Sequence, residues 1–496
     1  MRRQRGWAFF WSGLFLCLQA APFVLAQHAA DSQHVFGGFL LNPTDGFSYL
    51  AKMRQGFEGA WSFTLPYSAS PGAGAALNMY YLLLGHLARL AGWSLVFTFH
   101  AARLLGAAAL CAMLYRLLVR VLPAPQVLGA YALALFGSGL GWLALAAGMF
   151  TSDFWVAEAY PFLAAFANAH FPLGLALQVW LLTPTEAEPA WQPALVAAVL
   201  VLVYPFGWAL AVAVLGVQWL LGQQWPSPQA PTRRRVGSAV LAGLPYSVYV
   251  LWVLRNHAVL AGWNAQNLTP APPVWDLVLA LAPALWLALP AAIDALLRRR
   301  PAAQALAAWL LTSLLLIYIP WGLQRRLITG LYVPAAGLAL LALHQWVPAA
   351  RRRLVLSLLL IAALPTQLVI LLSAWQASQQ QPPSVYLGRE ELAVYTWLEH
   401  NSPPGALVLA PPGYGLHLPA FTQRRVWYGH PFETVQAEQR AAELAALYGG
   451  QWGLADTFAA DYVLYDGEAG GPPPALSAGW WLALTQGGLQ VWAHEP

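Results

Sequence analysis

Six charged residues stand where an otherwise apolar chain has least use for charge: the carboxylates Asp45, Asp153 and Glu158, and the arginines Arg103, Arg325 and Arg326. A carboxylate within hydrogen-bond reach of a hydroxyl can take its proton, and the planar fork of an arginine can hold two phosphate oxygens at once. Asp45 opens the run DGFSYLAK, which adds Tyr49 and Lys52, the only lysine in the sequence. Asp153 and Glu158 share the aromatic-rich segment MFTSDFWVAEAYPF. Each group also has a plainer reading. Asn-Pro and Asp-Gly within NPTDG both favour a turn, an arginine pair at a membrane boundary can snorkel to lipid headgroups, and loop carboxylates are commonly just solvated.

The elements that must position these residues follow from composition. With 59% hydrophobic and 9% charged residues and a mean hydropathy of +0.53, the chain reads as an integral membrane protein. A window of about 20 residues, the length that crosses a bilayer core, marks eleven apolar runs: 6–26, 94–118, 126–148, 169–183, 190–204, 206–221, 236–254, 274–296, 302–320, 327–346 and 353–375. The stretch 190–221 is divided in two because Tyr204-Pro205 interrupts it, and as one helix it would be roughly 48 Å long, too long for one crossing. Arginine triplets at 233–235, 298–300 and 351–353 mark loops held on the cytoplasmic side. With the N-terminal MRRQR also inside, parity places Asp45, Asp153, Glu158, Arg325 and Arg326 at the outer face, and Arg103 inside the second span. A charge at that depth is costly unless it meets a cavity or a partner. The net charge of +5 therefore reports orientation and not nucleic acid. The first run also resembles a cleaved signal peptide, although its apolar part is longer and more aromatic than usual.

Residues 1–375 thus form a membrane domain with an outer loop over 27–93, in which NMYYLLLGHLARLAGW has the spacing of an amphipathic interfacial helix. Residues 376–383 read as a linker, and 384–496 as a small α/β domain outside the membrane. In that domain REELAVYTWLEHN and TVQAEQRAAELAALYGG have helical spacing, while ALVLAPP, DYVLYDG and LQVWAHE read as strands. GYG at 413–415 reads as a turn. The well-separated Cys17 and Cys111 suggest neither a disulfide nor a zinc site.

An aspartate in the first outer loop, an amphipathic helix in the same loop, a second outer loop with carboxylates, spans of uneven length and a C-terminal α/β domain together resemble the GT-C superfamily of polyprenyl-phosphate-dependent glycosyltransferases. DGFSYLAKMRQG, QRRLITGLYVP, ELAVYTWLEHNSPPGALVLAPP and PAFTQRRVWYGHPFET are similar to a bacterial branch of GT-C-like membrane proteins. The resemblance implies a multi-pass protein of the bacterial cytoplasmic (inner) membrane that transfers a hexosyl or pentosyl unit, with inversion, from a polyprenyl-phosphate sugar to a glycan, lipid or protein acceptor at the outer face. It implies Asp45 as the catalytic base and Arg325, Arg326 and Arg103 as donor-phosphate ligands. Asp153, Glu158, Tyr49 and Lys52 become acceptor or metal candidates, and the metal would be a divalent cation such as Mg or Mn. TQRRVWYGH and the PPGYG turn would shape acceptor entry without catalysing. The sequence departs from the family at Gly46, where many members carry a second acid. Two other readings remain: a non-catalytic protein of cell-surface polysaccharide assembly, and a transporter, against which the near absence of midplane charge and of an internal repeat argues.

Overall fold

The computed structural model describes residues 2–185, 188–225, 230–469 and 471–495, and each expected apolar run falls on a helix. Among the described residues seven helices are long and apolar enough to cross a membrane: Arg3–Ala29, Leu95–Val121, Ala124–Ala146, Pro205–Gln224, Arg233–Asn256, Gln324–Trp346 and Ala349–Gln380. Val274–Ala280 and Ala284–Leu297 form a pair bent by 100°, and His170–Leu182, Trp191–Val203 and Ala303–Leu316 are shorter apolar helices. The 190–221 stretch is two helices, Trp191–Val203 and Pro205–Gln224, with Tyr204 between them. Proline is well placed there because its missing N–H costs nothing in the first turn of a helix.

The chain divides into two compact units. The first, Met1–Pro22, His100–Tyr249 and Thr269–Gln376, holds most of the apolar helices. The second joins Phe23–Phe99, Val250–Leu268 and Ala377–Pro496, so residues 27–93 share a unit with the C-terminal tail.

In the second unit β1 (His34–Phe36) pairs antiparallel with β2 (Tyr386–Gly388). A five-stranded sheet is built from β3 (Leu407–Leu409), β4 (Arg425–Val426), β5 (Tyr462–Asp466), β6 (Trp480–Gln486) and β7 (Leu489–His494), in the order β4-β3-β5-β7-β6. The β3–β4 and β3–β5 pairs are parallel and the two pairs made by β7 are antiparallel. Leu444 and Leu447 of the Ala437–Tyr448 helix pack with Trp452 on Leu407, Leu409 and Val463, forming the core of this sheet. The β6 strand escapes the period-two pattern because it lies at the sheet edge with Trp481 and Leu482 exposed.

NPTDG, for which a turn was the plainer reading, and PPGYG, read as a turn, are both helix starts. NPTDG opens the helix Pro43–Phe57: Asn42 is the left-handed N-cap at φ 48°, and Pro43 takes the first helical position. PPGYG opens Pro412–Phe421, again with proline at the start. In both, proline's fixed φ suits a first helical turn as well as a reverse turn, and the apolar residues downstream decide for the helix.

The Pro43–Phe57 helix is the platform of this unit. It crosses the Met79–Ala91 helix at backbone distance, because a Cβ on Gly56 would stand 2.1 Å from the Leu82 carbonyl oxygen and one on Gly85 would stand 2.0 Å from that of Met53. Met79–Ala91 buries Tyr81, Leu82 and Ala88 and exposes Leu83, Leu87 and Leu90, the amphipathic division read from its sequence.

Candidate active site

Asp45 is the third residue of the Pro43–Phe57 helix, where the free N–H groups and the helix dipole favour a negative charge. Its Oδ2 accepts a hydrogen bond from Asn42 Nδ2 at 2.5 Å. Its Oδ1 lies 3.5 Å from His430 Nε2, and the Asp45 side chain is 36% exposed against 1% for His430. The next position has no room for a second acid, since a Cβ on Gly46 would come within 2.3 Å of the Phe39 ring. That ring is itself buried against Phe47 and Phe99. The departure at Gly46 is thus a packing requirement.

One and two turns further along the same helix, Ser48, Tyr49 and Lys52 occupy the same side. Lys52, only 3% exposed, donates to Ser48 Oγ at 2.7 Å and to Glu433 Oε1 at 2.5 Å. Ser48 donates to the same Glu433 oxygen at 2.6 Å. Burial pushes the Glu433 carboxyl up, but the Lys52 ammonium, the His430 ring and the two side-chain donors outweigh it and hold the group below its ordinary 4.5. Tyr49 stacks on Tyr81 at 4.4 Å between centroids, with Lys52 Nζ 4.8 Å from its ring. Lys52 therefore braces the platform and is not presented to a substrate. Tyr67, buried beside this cluster, donates to the Leu416 carbonyl at 3.1 Å. Burial first, then the charges of Glu433 and Asp45, raise its phenol well above the usual range.

In the first unit Arg325 and Arg326 lie on the short 3-10 turn Gln324–Ile328. The Arg325 guanidinium sits 4.8 Å from the Trp155 ring and its Nε 4.0 Å from Glu158 Oε1; Arg326 sits 5.8 Å from the Phe206 ring. Aromatic faces suit guanidinium because cation–π attraction adds to van der Waals contact. The Glu158 main chain is tied to the same region through Gly330 N–H at 2.8 Å. Glu158 and Arg325, nominated separately in the sequence, thus meet here.

Asp153 and Arg103 have other uses. Asp153, fully buried, accepts from Thr151 Oγ1 at 2.7 Å, Thr366 Oγ1 at 3.0 Å and Gly141 N–H at 3.1 Å. Burial raises its carboxyl pKa against the pull of those donors. Ser152 beside it is held by Asp276 through both N–H and hydroxyl, at 2.8 and 2.9 Å. Arg103 donates to the Ala165 carbonyl at 2.7 Å, the Gln19 carbonyl at 2.9 Å and His100 Nδ1 at 3.2 Å. Its guanidinium staples three segments together.

No three His, Cys, Asp or Glu side chains among the described residues are gathered to hold a metal. Both Asp153 oxygens accept hydrogen bonds from protein donors. Cys17 and Cys111 are free thiols.

His430, Glu433 and Ser48 went unassigned in the sequence. Ser48 lies inside DGFSYLAK, and His430 and Glu433 inside GHPFET, both already set apart by the family resemblance. Partners so distant along the chain leave no spacing signal. In the neighbouring TQRR, Arg424 is buried on Glu399 and Ser402, and Arg425 caps the Gly405 and Ala69 carbonyls. These two arginines are structural.

No family model matches the sequence, and no curated protein matches it. Solved structures do. The oligosaccharyltransferase of Archaeoglobus fulgidus in its apo form superposes with a TM-score of 0.54 at 14% identity, covering 93% of this chain and 70% of its own. The same enzyme solved with Zn and sulfate gives 0.53 at 13% identity, over 92% and 68%. ArnT from Cupriavidus metallidurans in the apo state gives 0.50 at 15% identity over 98% of both chains. The chain therefore shares its fold with these structures. The likeness extends over most of its length, as the resemblance implied.

Proposed function

We propose that this chain is an inverting glycosyltransferase that moves a hexosyl or pentosyl unit from a polyprenyl-phosphate donor to a lipid, glycan or protein acceptor at the outer face of the bacterial cytoplasmic membrane. The observation that carries this reading is the contrast among three outer-loop carboxylates: Asp45 keeps 36% of its side chain exposed, whereas Asp153 and Glu158 are buried at 0% and 5%. Asp45 alone of these three stands open to a hydroxyl, and the neighbouring N-terminal helix dipole favours its charged, proton-accepting form.

The acceptor oxygen attacks the anomeric carbon, its proton passes to Asp45, and the bond from that carbon to the phosphate oxygen breaks with the electron pair leaving on the polyprenyl phosphate. Attack opposite the leaving group inverts the configuration. No acid is needed on the leaving side, because phosphate departs readily. Arg325 and Arg326 take the donor phosphate, with Glu158 and Trp155 holding Arg325 in place until it arrives. The tail lies on the same side of the membrane as the transfer.

The test is transfer of radiolabelled sugar from undecaprenyl-phosphoryl mannose, glucose and arabinose by the purified protein in vesicles, with the anomeric configuration of the product read by NMR. Inversion is expected. Arg325→Gln with Arg326→Gln should weaken donor binding, and glutamine keeps a hydrogen-bond donor beside the buried Glu158 so that the fold is retained. Retention of configuration, or undiminished donor binding in the double variant, would refute this reading. A reporter fusion near residue 390 should register outside the cytoplasm; an inside signal would put the tail on the wrong face.

A further inference from the structure

The turn between β4 and the Ala437–Tyr448 helix is held more tightly than a surface turn needs to be. Thr434 Oγ1 accepts the N–H groups of Gly429 and His430 at 3.3 and 3.2 Å, and Thr434 N–H returns to the His430 carbonyl at 3.0 Å. Gln266 Nε2 donates to the Thr434 carbonyl at 2.6 Å. Within this frame His430 Nδ1 accepts two backbone N–H groups, from Phe432 and Glu433, both at 3.1 Å. An imidazole nitrogen that accepts cannot carry the ring proton, so the proton is fixed on Nε2. Nε2 is buried and has no hydrogen-bond partner within the usual limit; it faces Asp45 Oδ1 at 3.5 Å. Hydrogen bonds that serve a reaction are often this long before substrate binds.

We infer that His430 is a positioning residue for Asp45: its fixed Nε2–H orients one carboxylate oxygen and Asn42 orients the other. The inference rests on the reading of Asp45 as the base. The charged and titratable groups beside Asp45 are His430, Glu433, Lys52 and Tyr67, and Lys52 is already paired with Glu433. His430 is thus the donor that the tail supplies to the carboxylate, and the tail contributes to the chemistry as well as to access.

Two substitutions separate the two ring nitrogens. Asparagine's Oδ1 takes the place of Nδ1 and keeps the turn, and glutamine's Nε2 takes the place of the donor facing Asp45. In the full-length protein in micelles, nitrogen-15 spectra of labelled histidines, assigned with His430→Asn, should show His430 protonated on Nε2 only. Its Nε2 resonance should move in Asp45→Asn. A proton on Nδ1, or an Nε2 signal indifferent to Asp45→Asn, would overturn the inference without any substrate. With the three undecaprenyl-phosphoryl sugars as probes, His430→Asn should lower kcat roughly tenfold, the worth of one hydrogen bond to a charged group. It should also move the acid limb of kcat/KM to higher pH, because the carboxylate has lost a donor. His430→Gln should restore the limb. In an Asp45→Asn background His430→Asn should cost nothing further; an additional loss would show that His430 acts independently. If Asp45→Asn itself keeps full turnover, the base reading fails; if only the His430 effects are missing, the positioning role alone fails.

Discussion

Asp45 and Asp153 look alike in the sequence, each a lone outer-loop acid beside aromatics, and the fold gives them opposite work. Asp153 is buried with three protein donors on its two oxygens and links Gly141, Thr151 and Thr366. Asp45 accepts from Asn42, faces His430 and keeps 36% of its side chain exposed. A carboxylate saturated by its own protein stabilises structure and has little capacity left for chemistry. One oriented from two sides and partly open can still accept a proton. The arginines differ too: Arg103 donates to two carbonyls and a histidine, whereas Arg325 rests on the Trp155 ring with its Nε 4.0 Å from Glu158.

The comparison breaks first under truncation. Asp153→Ala leaves three buried donors facing a void, and unmade buried hydrogen bonds at ~1–3 kcal/mol each give a loss of about 3–5 kcal/mol. Asp45→Ala should cost less, about 1 kcal/mol, the size of a lost first-turn carboxylate at a helix N-terminus. Denaturation in detergent with a fluorescence readout compares the two, and equal losses would remove the distinction between them. A smaller effect is expected beside Asp45. Gly46→Ala must displace the buried Phe39 ring, an overpacking cost of about 1–3 kcal/mol. A neutral result would mean that the missing second acid is not imposed by packing.

The smallest effect is on pH dependence. Glu433 titrates below 4.5 in the folded protein because Lys52, His430 and Ser48 outweigh the cost of burial. A carboxyl with a depressed folded value adds stability that is fully present above its unfolded value and lost as pH falls through the folded one. The wild type should therefore lose stability on acidification below about pH 4.5, the unshifted glutamate value. Glu433→Gln should start less stable and lose less over the same range. Parallel acid profiles would show that the Lys52–Glu433 pair adds nothing to the acid response.

The apolar helices were legible because apolar length is a local signal. All eleven runs fall on helices, and even the break at Tyr204-Pro205 could be read. In the tail the helices and the inner strands β3, β5 and β7 carried enough periodicity, while the edge strand β6 and the two-residue β4 did not. PPGYG was misread as a turn because proline and glycine punctuate helix starts as well as reverse turns. The site was legible only in its candidates. The sequence could nominate Asp45, Asp153, Arg103 and Arg325 but could not weigh them, because what separates an open carboxylate from a saturated one is the set of donors brought from far along the chain. Thr366 reaches Asp153 from 213 positions away, and Glu433 reaches Lys52 from 381.

The most direct test of the account is the Asp45→Asn variant assayed beside the wild type in the same vesicles, with donor binding and single-turnover transfer measured separately. Asparagine keeps the size of the side chain and removes the basic oxygen. Transfer should fall by roughly the 10²- to 10⁴-fold that a general base contributes, while donor affinity and folding stay within about twofold of wild type, an interval worth less than 0.5 kcal/mol. Full transfer by Asp45→Asn would contradict the central claim and leave Asp45 as a residue of the first helical turn and nothing more.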